Sequence, residues 1–121
     1  MTEDELDHIR RRFSRIYSPF IDVGKGWYLI LIELDAELAT IDPDLRYVQI
    51  KERFGELRTY TTRACPETWN RVRDAKLKAR EKAAVTCESC GRTGTLHVNT
   101  GWYRTLCPSC AAEADYVSVQ Q

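Results

Sequence analysis

The chain has 121 residues, 43% of them hydrophobic and 30% charged, with 18 Lys and Arg against 18 Asp and Glu. That length holds one ordinary core plus a small appended lobe, and the composition excludes a disordered chain. A neutral balance gives no basic excess to drive binding to phosphate backbones, and no apolar run nears the roughly 20 residues of a bilayer span, so no membrane partner is expected.

The N-terminal MTEDELDHIRRRF lacks the apolar segment of a secretory signal, which points to the cytoplasm, where disulfides are rare. Thr2 and Glu5 have the spacing of a capping box. They open a predicted helix over about 3–17, with Leu6, Ile9, Phe13, Ile16 and Tyr17 at apolar spacing and Arg10, Arg11, Arg12 and Arg15 over the rest of its surface. Ser18-Pro19 ends it. Trp27, Ile30, Leu31, Leu34, Leu38 and Ile41 repeat with helical period and predict a second helix over about 27–40.

After the Asp42-Pro43-Asp44 turn the period falls to two, which predicts a β-hairpin over about 45–61. Val48 and Ile50 would share one face, with Tyr47, Gln49 and Lys51 on the other. Pro66 suits the first turn of a third helix, about 66–84, capped by Cys65 or Thr62. Trp69, Val72, Ala75, Ala79 and Ala83 would line its buried side, while Arg71, Arg73, Lys76, Lys78, Arg80 and Lys82 cover the others. The expected fold is α+β: helices packed with a β-hairpin in a body of residues 1–85, followed by a C-terminal zinc-ribbon lobe over 86–121.

The lobe rests on CESCGRTGTLHVNTGWYRTLCPSC, residues 87–110, in which 16 residues separate two CxxC pairs. That spacing fits a Cys₄ zinc site with Cys87, Cys90, Cys107 and Cys110 as ligands. The β-rich runs 95–98 and 102–106 flank Asn99-Thr100-Gly101, so a second hairpin brings the pairs together, and Gly91 suits the tight knuckle after Cys90. Disulfides are the rival in an oxidising compartment. Thiol-disulfide exchange is the rival for CPSC, but it needs one pair at a helix start in a βαβ setting. One structural Zn²⁺ with four protein ligands leaves no open position for water, so the metal would hold the fold and perform no reaction.

Four thiolates and one Zn²⁺ carry a net charge of about −2, and from residue 86 onward only Arg92 and Arg104 offset Glu88, Glu113 and Asp115. The lobe is acidic. Trp102, Tyr103 and His97 are candidates for stacking on bases or anchoring a partner, although so small a lobe needs Leu96, Val98, Trp102 and Leu106 for its own core. Arg11 and Arg12 of the first helix and Arg73 and Arg80 of the third would form a phosphate-facing stripe if those helices lie side by side. The competing reading is a solvated surface with intrahelical pairs such as Glu67 with Arg71.

Conventional catalytic patterns are missing from the sequence: His8 and His97 fall in unrelated elements, and no GxSxG, HExxH or P-loop occurs. Cys65 precedes a predicted helix but has no evident base to activate it, and Asp42 with Asp44 reads as turn chemistry. A non-enzymatic protein is expected.

GWYLILIELDAEL, VQIKERFGELRTY, the basic third helix and the terminal Cys pairs with GWY between them together resemble a family of small uncharacterised proteins encoded by bacteria, phages and prophages. The similarity covers about residues 24–112. The chain departs from that pattern at Glu56, where a second glycine is usual, and at Thr59, where an aromatic is usual; some members also replace the last cysteine by histidine. The resemblance implies a mobile-element accessory protein in the host cytoplasm. Such a protein would bind, and in some cases inhibit, a host protein, with nucleic-acid binding through the arginine-rich helices as the alternative.

Overall fold

A computed structural model describes residues 3–119. Helix α1 spans Glu3–Arg10, strand β1 Ile21–Asp22, helix α2 Tyr28–Ile41, strands β2 Tyr47–Arg53 and β3 Glu56–Thr61, and helix α3 Trp69–Ala83. Strands β4 Thr95–Asn99 and β5 Trp102–Leu106, helix α4 Pro108–Glu113 and strand β6 Val117–Ser118 complete the chain. The class is α+β. No described helix is long and apolar enough to cross a membrane.

The first helix is shorter than its apolar spacing predicts. Beyond Arg10 the helical bonds tighten into a closing turn, Arg12 N–H to Ile9 O (3.0 Å) and Phe13 N–H to Arg10 O (3.2 Å), and the chain then pairs with the start of β2: Tyr47 N–H donates to Arg12 O (2.9 Å) and Ser14 N–H to Tyr47 O (2.8 Å). Leu6, Ile9 and Phe13 are buried as expected, whereas Ile16 and Tyr17 are exposed. The Thr2 half of the expected capping box lies outside the described residues. Farther along, β1 adds a parallel edge to β2, with Ile21 opposite Ile50.

Helix α2 matches its expected span, except that Trp27 ends a 3-10 turn over Lys25–Trp27 rather than starting the helix. It contacts both α1 and α3, and α3 also lies against β3. The β2/β3 hairpin turns at Phe54-Gly55, both with positive φ, which the two-residue connection needs to match strand twist. A register shift between Tyr47 and Gln49 changes the expected alternation. An extra residue turns Tyr47 inward beside Ile50.

Helix α3 begins three residues after Pro66. Thr68, not Cys65 or Thr62, occupies its N-cap position. Val72, Ala75, Ala79 and Ala83 are buried, but Trp69, in the opening turn, is half exposed. The basic side of α3 is tied to other elements: Lys78 pairs with Glu37 (3.1 Å), Lys82 with Glu33 (3.5 Å) and Arg80 with Glu56 (2.8 Å).

Candidate metal centre

The Cys87 knuckle follows directly on α3. Cys87 N–H donates to Arg92 O (2.6 Å) and Gly91 N–H to Cys87 O (2.9 Å), with Gly91 at φ +87°, a conformation open to glycine at little cost. The second pair lies where β5 meets α4. Cys107 is the N-cap of α4, Pro108 follows it, and the Cys110 N–H donates to Cys107 Sγ (3.4 Å). The β4/β5 hairpin, in register from Thr95 opposite Leu106 to Asn99 opposite Trp102, joins the two knuckles.

All four Sγ atoms, from Cys87, Cys90, Cys107 and Cys110, lie within 4.8 Å of one another. Cys90 Sγ and Cys107 Sγ are 3.6 Å apart, near the edge of about 3.8 Å expected for a tetrahedron with Zn–S bonds of ~2.3 Å and far beyond a disulfide's ~2.05 Å. The cluster can hold a metal ion. Burial raises the Cys87 thiol, but hydrogen bonds from the backbone of Cys107, Cys90 and Ser89 outweigh it and bring the pKa down to about 7. Hydrogen bonding with the Cys107 side chain, reinforced by burial, pushes Cys110 up to about 12.

CPSC does sit at a helix start after a strand, the placement thiol chemistry favours. The signal for that helix was legible in Pro108 directly after Cys107. The other CxxC pair within reach of both sulfurs makes a four-thiol cluster instead of a lone dithiol.

The lobe is docked on the body through close backbone contacts that spacing arguments do not reveal. Gly26 N–H donates to Glu88 O (2.8 Å), and a Cβ on Gly26 would lie 2.6 Å from that oxygen and collide with Cys87 O. Trp27, fully buried, donates its Nε1–H to Thr86 O (2.8 Å), and Thr105 Oγ1 donates to Gly55 O (2.7 Å). Glu88, which the sequence offered only as surface charge, is buried. It accepts from Gly24 N–H (2.9 Å) and lies 3.6 Å from Arg104 Nε. Burial raises its pKa.

The candidate partner residues do not assemble as one surface. Trp102, 74% exposed, and Tyr103 neighbour each other in β5 and therefore point to opposite faces. Arg11 is exposed on the turn after α1, but Arg12 is largely buried, its Nε 2.9 Å from Asp35 Oδ1. Arg73 is held by Asp74 (3.1 Å) and lies over the Trp69 ring, and Arg80 is paired with Glu56. Of the expected lobe core, Leu106 is buried, Val98 half-buried, and Leu96 and Trp102 exposed. Cys87, Cys107 and Ala111 supply the rest. His97 is packed, its Nδ1 2.8 Å from Thr95 O. No protein-family model, curated protein or solved structure matches this chain.

Proposed function

We propose that the cluster of Cys87, Cys90, Cys107 and Cys110 holds one structural Zn²⁺ and that the protein is a non-enzymatic interaction module. The donor set supports zinc: four soft thiolates in a closed tetrahedral site suit Zn²⁺ and leave no position for a reacting water. The resemblance noted above supports a phage or prophage accessory factor that binds a host protein in the host cytoplasm.

A row of apolar side chains on the lobe carries the protein-binding reading. Val98 lies opposite both Tyr103 and Val117, so these three share a face of the β5-β4-β6 sheet with Leu96. Leu96, Tyr103 and Val117 are exposed on it. Apolar neighbours left uncovered on one small face are what a partner's side chains bury. The ion pairs that occupy Arg12, Arg73 and Arg80 weigh against a phosphate-facing stripe.

Pull-down from host lysate with wild-type protein and with a Tyr103→Asp, Val117→Asp variant tests the reading. The expected result is a specific host protein recovered by the wild type, lost by the variant, with unchanged metal content. Equal capture by both proteins, or recovery of nucleic acid alone in a salt-sensitive manner, would overturn it.

A further inference from the structure

The strand order β1-β2-β3 leaves β3 at a sheet edge, and α3 runs beside that edge. A groove of about 420 Å³ lies between them, lined along its length by residues 57–64 of the strand and its continuation and by the outer side of α3. Because the two-residue turn makes Arg53 and Glu56 the first hydrogen-bonded pair, Arg58 and Tyr60 bond inward to β2. Leu57 and Thr59 therefore aim their backbone N–H and C=O groups outward, along the groove.

Five cationic side chains, Arg58, Arg63, Arg73, Lys76 and Arg80, line the groove, and no carboxylate does. Lys76 is partly buried in it. Its one close partner is the Thr61 hydroxyl (2.6 Å), and no carboxylate among the described residues pairs with it. Burial holds its pKa below the ordinary lysine value. Arg58 is paired with Glu56 through its Nη2 (2.6 Å), although its buried Nε has no acceptor among the described residues, and Arg63, which also lines the groove, makes no ion pair among the described residues. Tyr60, Trp69 and Leu77 add exposed apolar surface along the same groove.

We propose that this groove is a second docking site, which takes an extended acidic segment of a partner protein as a fourth strand on β3. Outward backbone groups alternating along the edge match the main chain of a peptide, and Lys76 and Arg63, which no carboxylate among the described residues neutralises, match carboxylate side chains. A nucleic acid would answer the cations but leave the alternating N–H and C=O groups of Leu57 and Thr59 unmet. The site lies on the body, so this proposal goes beyond the reading of the lobe and stands or falls separately from it.

The test titrates the full zinc-loaded chain into a fluorescein-labelled nine-residue peptide alternating Glu with Val or Thr, read by anisotropy. Saturable binding is expected, absent for the same peptide with Lys in place of Glu. Lys76→Glu should weaken it at least about tenfold. Thr59→Pro should do the same, because it removes an outward N–H without touching the ladder to β2. Far-UV circular dichroism and zinc content of the same samples report the fold and the metal site independently, and Lys76→Glu carries the test if the proline variant unfolds. No saturable binding of the acidic peptide, or equal affinity in a folded Lys76→Glu variant, would overturn the proposal. So would a single-stranded oligonucleotide that binds more tightly than the peptide and loses affinity in Lys76→Glu.

Discussion

Asp35 is the residue on which the body's interior depends most. It is 3% exposed on the buried, otherwise apolar face of α2 with Leu31, Leu34 and Leu38, where an unpaired carboxylate would be costly. Tyr47 donates its hydroxyl to Asp35 Oδ1 (2.7 Å), Arg12 Nε lies 2.9 Å from the same oxygen, and His8 Nε2 is 3.8 Å from Oδ2 at the rim. Burial, then the Asp35 charge, raises the Tyr47 pKa, which keeps the proton on the phenol as the donor. Asp35→Ala would strand the Arg12 guanidinium and the Tyr47 hydroxyl together, and should cost about 3–5 kcal/mol of unfolding free energy in a denaturant titration. The double change Asp35→Leu, Arg12→Met should recover most of it. A cost under about 1 kcal/mol for Asp35→Ala would mean that the network is solvated and the helix does not depend on it. The sequence did carry a sign of this network: Asp35 follows Leu31 by four and precedes Leu38 by three, a core position at helical period. Which arginine answers it is a matter of tertiary placement, and for that reason Arg12 read as a surface residue.

Elements with strong internal period are the ones that spacing located: α2, the β2/β3 hairpin, α3 beyond its first turn, and the β4/β5 hairpin between the cysteine pairs. Those it missed are short and exist through pairing with something distant. The tail of α1 is given up for bonds to Tyr47, the bulge in β2 reverses Tyr47, and the two-residue strands β1 and β6 have no pattern of their own. The same holds for the seam between lobe and body, where Gly26 reads as loop punctuation but lies against the backbone of Cys87 and Glu88. Gly26→Ala would force backbone against backbone, which no rotamer change relieves. It should destabilise by about 1–3 kcal/mol in thermal melts and speed the loss of metal to a competing chelator. Unchanged melting and unchanged metal release would show that the seam opens freely.

At the scale of the whole molecule, the larger core runs from α1 through α3, and the small cluster around Cys87, Leu106, Cys107 and Ala111 leans on it. So few apolar residues cannot hold the lobe alone, and a metal cross-link is the usual remedy at this size. The four-cysteine cluster was legible because ligand spacing is local chemistry. The contact surfaces were less so: Trp102 and Tyr103 read as one pair, and the sheet places them on opposite faces. Docking through Trp27 and Thr105 means that metal loss should loosen the seam as well as the lobe, seen as a change in Trp27 fluorescence. The central claim is that Cys87, Cys90, Cys107 and Cys110 hold one zinc ion, and native mass spectrometry of the purified chain tests it most directly. The expected mass is that of the chain plus one zinc less the two protons whose charge the Zn²⁺ replaces in an ion of the same charge; a metal-free mass, either intact or lighter by two protons for each bridged cysteine pair, would contradict it.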